Sequence, residues 1–104
     1  MDKKILIVDD ESNVRRALIS ILEKKGYIVV EAGSGEECIE KAIEEKPDII
    51  LLDVLLPGQS GFGVCELLKK NDATKDIPVI MGTGLIGDSA EKAGLEKGAK
   101  YLIS

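Results

Sequence analysis

The chain has 104 residues, 44% of them hydrophobic, with 14 basic and 19 acidic side chains and a net charge of −5. That suits one globular domain with its own core, excludes a disordered chain, and, with no basic patch, argues against direct contact with nucleic acid. Histidine is absent, which excludes imidazole acid–base catalysis, Ser-His-Asp and Cys-His arrangements, and imidazole metal sites.

Strand-like and helix-like runs alternate along the chain. Met1-Asp2-Lys3-Lys4 leads into Ile5-Leu6-Ile7-Val8, a run too short for the apolar core of a signal peptide. No stretch is long enough to span a membrane, so a cytoplasmic setting is expected. Lys4–Val8 reads as the first strand and ends in Asp9-Asp10. Val14, Ala17, Leu18, Ile21 and Leu22 then share one face of a helix that ends at Gly26. Tyr27–Glu31 reads as the second strand. Ser34-Gly35-Glu36-Glu37 is a capping box, and its helix continues through Cys38, Ile39, Ala42 and Ile43 to Pro47. Asp48–Asp53 is a third strand, followed by Val54-Leu55-Leu56-Pro57-Gly58, where Pro and Gly turn the chain sharply.

Phe62, Cys65, Leu67 and Leu68 mark a third helix, and Ile77–Gly82 a fourth strand. Asp88-Ser89-Ala90-Glu91 can cap a fourth helix, whose apolar face of Ala90, Ala93, Gly94 and Leu95 is thin. Ala99–Ile103 reads as the last strand. Cys38 and Cys65 fall inside apolar helical patterns, where a free thiol acts as a small buried hydrophobe; with no histidine, neither a disulfide nor a zinc site is expected. Apolar strands joined by helices imply a parallel sheet with right-handed crossovers. Ligands of such sheets bind at the carboxyl ends of the strands, where strand order reverses.

Asp9, Asp10, Asp53 and Thr83 all fall at those ends. Each has an ordinary reading as a turn or cap residue. Together they place carboxylates in one cleft. Like charges that close repel, and a divalent cation is the usual reason to gather them. Two carboxylates, the Leu55 carbonyl and water make an oxygen shell suited to Mg²⁺. The glycines flanking Thr83 let backbone approach a ligand, and its hydroxyl suits a phosphoryl oxygen.

The sequence resembles the receiver domains of two-component response regulators over its whole length. The resemblance rests on Ile7-Val8-Asp9-Asp10-Glu11, Pro47-Asp48-Ile49 leading to Leu52-Asp53, Leu56-Pro57, Gly61-Phe62, Ile77-Pro78-Val79-Ile80-Met81, Thr83, and Gly94-Leu95-Glu96 before Gly98-Ala99. It implies a doubly wound α/β fold, flavodoxin-like, with five parallel strands in the order 2-1-3-4-5. It further implies that Asp53 is the phosphoacceptor, Asp10 a direct Mg²⁺ ligand, Asp9 a ligand through water, Leu55 the carbonyl ligand and Thr83 the switch hydroxyl. The implied partners are a sensor histidine kinase or a histidine phosphotransfer protein, with an output domain or a second copy as further partners. The implied role is a signalling switch and not an enzyme. The glycine-rich stretch Gly82–Gly98 is its expected moving face.

Three departures from the family pattern stand out. The family's lysine aligns one residue beyond Ser104, and the last helix is missing, so the chain is expected to be truncated before that helix and to leave one sheet face poorly covered. Lys100 is no substitute, because four strand residues span roughly 13 Å. The family's switch aromatic aligns with Leu102, with Tyr101 on the opposite face. Gly82 replaces an apolar residue before the threonine.

Other classes fit less well. A haloacid-dehalogenase-type phosphatase needs a second Asp where Leu55 stands. A flavodoxin-like FMN carrier needs a phosphate cradle where Asp9-Asp10-Glu11 would repel the anion. A pseudo-receiver serving only as a protein-binding module is the remaining alternative, against which the complete Asp9, Asp10, Asp53 and Thr83 set argues.

Overall fold

The structure is a computed structural model, and it describes residues 3–56, 58–82 and 101–103. Five parallel strands form one sheet: β1 Lys4–Val8, β2 Ile28–Ala32, β3 Ile49–Asp53, β6 Val79–Gly82 and β7 Tyr101–Ile103. Their spatial order is β2-β1-β3-β6-β7. In the five-strand count of the sequence this is the expected order 2-1-3-4-5. Two further two-residue strands, β4 Leu55–Leu56 and β5 Gln59–Ser60, pair antiparallel as a small hairpin. Gly58, with φ at 69°, lies in its turn, a backbone region that costs glycine little. The sequence had suggested only a sharp loop here.

Helix α1 spans Ser12–Lys24, α2 Gly35–Glu45 and α3 Gly61–Lys70. Helix α2 is capped by Ser34 as expected, but the return bond from Glu37 goes one residue further back than a capping box has it. The Ser34 hydroxyl accepts from the Glu37 N–H at 3.2 Å, and the Glu37 carboxylate accepts from the Gly33 N–H at 2.7 Å. The expected fourth helix lies outside the described residues.

One sheet face carries the main core. Leu6, Val8, Ile50, Leu52, Val79 and Met81 from the strands meet Cys38 and Ala42 of α2 and Val64, Cys65 and Leu68 of α3. Full burial of an aliphatic side chain of this size contributes about 1.5–3 kcal/mol. The buried stripe of α3 is Gly61, Val64, Cys65 and Leu68. Leu67, expected on that stripe, is 48% exposed.

Among the described residues, the other face is buried less completely. Ile5 and Ile7 are buried, but Ile49, Leu51 and Ile80 are only half-buried. Helix α1 packs against β1 and β2 without burying any residue fully. On its expected apolar face, Leu18 and Leu22 are half-buried while Val14, Ala17 and Ile21 are exposed.

Cys38 and Cys65 are both fully buried, and neither forms a disulfide. Burial, then the neighbouring Cys65, pushes the Cys38 thiol up from its ordinary 9.0 to about 12. Burial also raises Cys65, against a lowering by Lys69. A raised thiol favours the protonated folded state. This stabilisation is fully present below the ordinary thiol value and is lost as pH climbs through the folded one. Near neutral pH, therefore, iodoacetamide should label neither thiol in the native protein. Labelling should track global unfolding across a urea series. Rapid labelling in the absence of denaturant would show that the α2–α3 side of the core opens locally.

Candidate metal centre

The parallel register determines which strand ends meet. Val8 pairs with Leu52 across β1 and β3, and Asp53 pairs with Gly82 across β3 and β6. One residue further along β1, Asp9 comes opposite Asp53. Because β2 lies on one side of β1 and β3 on the other, strand order reverses here, where α/β sheets leave a crevice. Asp9, Asp10 and Asp53 each bring a carboxylate oxygen into a group spanning no more than 4.8 Å. Asp9 and Asp53 are half-buried, and Asp10 is exposed. The donor set is all oxygen, the set preferred by hard cations such as Mg²⁺. It fits the expected cation and would suit zinc poorly.

Local structure holds Asp9 and the backbone just beyond Asp53. The Asp9 N–H donates to the Ala32 carbonyl at 3.1 Å. One Asp9 carboxylate oxygen accepts from the Glu11 N–H at 2.9 Å. The Asp9 carbonyl accepts from Arg15 Nη1 at 2.6 Å, and Arg15 Nε donates to Glu31 Oε1 at 2.7 Å. After Asp53, the Val54 N–H continues the ladder to the Gly82 carbonyl at 3.0 Å, and the Gly61 N–H closes the hairpin onto the Val54 carbonyl at 2.9 Å. Leu55, the expected carbonyl ligand, opens β4 two residues beyond Asp53. Thr83, Lys100 and most of the Gly82–Gly98 stretch lie outside the described residues; Gly82 itself ends β6.

A match to the family model described as "Response regulator receiver domain" covers residues 5–104. The chain belongs to the response regulator receiver family. It is 43% identical over 99 residues to the alkaline phosphatase synthesis transcriptional regulatory protein PhoP of Bacillus subtilis, covering 95% of this chain and 40% of that protein. Among solved structures, the Vibrio cholerae chemotaxis protein CheY4 superposes with a TM-score of 0.91 at 28% identity, covering 99% of this chain and 86% of that one. The BeF3-activated receiver domain of Klebsiella pneumoniae RstA gives 0.88 at 33% identity, covering 96% and 83%. The receiver domain thus spans about two-fifths of the length of curated relatives such as PhoP. It is a receiver domain of two-component phosphorelay signalling, with a CheY-like fold.

Two features of this receiver domain escaped the sequence reading. The first is the Arg15–Glu31 pair, which links α1 to β2. Its one signal was an acidic residue in an otherwise apolar second strand, aligned with Ile7 by the parallel register. The second is the closeness of Gly61 to the Asp53 strand. A Cβ on Gly61 would run into the Asp53 carbonyl oxygen and the Val54 Cα. Both obstacles are backbone and cannot turn aside, so Gly61→Ala should cost roughly 1–3 kcal/mol in urea unfolding. Gly63→Ala is the control. Its Cβ would meet nothing within 4 Å, and in the first turn of α3 the alanine should be neutral or gain at most about 1 kcal/mol. Equal effects from the two variants would mean that the close approach at Gly61 carries no energetic weight.

Proposed function

We propose that the domain accepts a phosphoryl group on the Asp53 carboxylate from a partner's phosphohistidine, with Mg²⁺ held by Asp9, Asp10, Asp53 and the Leu55 carbonyl. The observation that carries this reading is the convergence of the three carboxylates at the β1/β3 strand ends. An aspartate oxygen is a competent nucleophile toward phosphorus. As the Asp53 oxygen bonds to phosphorus, the phosphorus–nitrogen bond to the donor imidazole breaks and the imidazole leaves. The chain itself contains no histidine, so the donor is a sensor histidine kinase or a histidine phosphotransfer protein. A bound Mg²⁺ supplies neutralisation of the charge shared by carboxylates and phosphoryl oxygens.

The protein's own part is positioning. Asp53 is half-buried at the end of β3, with the Val54–Gly82 and Gly61–Val54 hydrogen bonds fixing the backbone just beyond it. Thr83 follows Gly82, the register partner of Asp53, and this supports its assignment as the hydroxyl that meets the phosphoryl group. The Gly82–Gly98 stretch would carry the resulting population shift. The curated relatives carry names of transcriptional regulators, which supports an output domain as the partner on the effector side; a second copy of the chain is the other candidate. Among the described residues, no helix is long and apolar enough to cross a membrane. A pseudo-receiver role is disfavoured by the complete aspartate set.

Acetyl phosphate should add one phosphoryl group to the wild type in the presence of Mg²⁺, and none after chelation. Intact-mass spectrometry reads this directly. The adduct should vanish in Asp53→Asn; an adduct persisting there would remove Asp53 from the role. Mg²⁺ should also raise the thermal midpoint, since it binds the native cluster and relieves its self-repulsion. Asp10→Asn should lose most of that rise, and an equal rise in both proteins would put the cation elsewhere.

A further inference from the structure

Arg15 is the one arginine tied into the aspartate cluster by described contacts, and it touches the cluster through backbone. Its guanidinium bridges the Asp9 carbonyl at 2.6 Å and the Glu31 carboxylate at 2.7 Å. The same group lies against the loop after β2, where a Cβ on Gly33 would stand 3.3 Å from Nη1. One side chain therefore ties the end of β1 to strand β2, beside the loop that leads into α2. Its own backbone N–H donates to the Glu11 carbonyl at 3.1 Å, so both ends of the residue brace the Asp9–Glu11 turn.

We infer that Arg15 is a positioning residue for the cation ligands, acting through the Asp9 carbonyl and kept from acting as a competing cation by Glu31. The inference rests on the reading of Asp9, Asp10 and Asp53 as a divalent-cation site. Holding the Asp9 carbonyl fixes the peptide plane between Asp9 and Asp10, and with it the directions from which both carboxylates leave the backbone. A planar guanidinium can hold two acceptors at fixed angles, and an ammonium cannot do so with the same geometry. The pair contributes little to stability as a partly exposed ion pair, its Arg15 and Glu31 side chains being 18% and 50% exposed. Its value is in orienting ligands, as outer-shell groups do in metal sites.

Through-space charge and positioning predict opposite signs. Removing a positive charge from beside three carboxylates should tighten Mg²⁺ binding if the field alone matters. If Arg15 positions the ligands, Arg15→Ala should weaken Mg²⁺ binding about tenfold or more, read by isothermal titration with Mg²⁺. Arg15→Lys keeps the charge and loses the fork, so it should weaken binding as well. Unchanged or tighter binding in Arg15→Ala, or full retention in Arg15→Lys, overturns the inference. A second readout needs no metal. In the metal-free protein the Glu11 amide, bonded to the Asp9 carboxylate, should exchange faster in Arg15→Ala, while Leu6 and Ile50 in the central strands keep their protection. Unchanged Glu11 exchange also overturns it. A wild type that binds no Mg²⁺ would sink the cation reading itself, and the Glu11 amide would still decide whether Arg15 holds the turn.

Discussion

Three carboxylates within 4.8 Å of one another are an electrostatic liability that the rest of the fold must withstand. Two unit charges about 4 Å apart interact by roughly 1 kcal/mol in water and by about 4 kcal/mol at the effective dielectric of a protein surface. The repulsion cannot be relieved by letting the chain slide. Asp9 and Asp53 are carried by β1 and β3, whose side chains are buried on the main core face at Leu6, Val8, Ile50 and Leu52. Shifting either strand by one residue would turn those side chains to the other face. The core thus enforces the convergence of charge, and the result is an all-oxygen donor set of the kind hard cations prefer.

The two sheet faces divide the work. The α2–α3 side is densely apolar and holds the strand register. Among the described residues the α1 side is less buried, with Val14 and Ile21 of α1 exposed, and its N-terminal turn carries the polar contacts that reach the site. Arg15 belongs to this less buried layer. Stability and site geometry therefore rest on different residues, so ligand geometry can be altered at Arg15 with little expected loss of the core.

Much of this was legible in the sequence. Lys4–Val8 was recognisable as a strand because an unbroken apolar run ending in acid fits a strand buried on both faces, and the observed bounds are the same. Strand β2 starts at Ile28 and not at Tyr27, because the Tyr27 N–H still bonds the Leu22 carbonyl at 3.2 Å as part of the α1 terminus. Strand β6 starts at Val79 and not at Ile77, because the Ile77 N–H is spent on the Thr74 carbonyl at 3.0 Å and Pro78 has no N–H to give. Leu67 misled because helical periodicity allows either Leu67 or Val64 beside Cys65 and Leu68, and only packing against α2 and the sheet selects Val64. The meeting of Asp9, Asp10 and Asp53 was readable from strand-end position alone. The Arg15–Glu31 bridge and the Gly61 approach were not, since both depend on which elements become neighbours in space.

Mn²⁺ in place of Mg²⁺ tests the central claim most directly. Both ions take oxygen ligands, and paramagnetic Mn²⁺ broadens nearby amide signals in the NMR spectrum of ¹⁵N-labelled protein. Substoichiometric Mn²⁺ should broaden Asp9, Asp10, Glu11, Asp53 and Val54 first, and excess Mg²⁺ should restore them. Broadening centred on the acidic surface of α2, at Glu36, Glu40 and Glu44, would contradict the account.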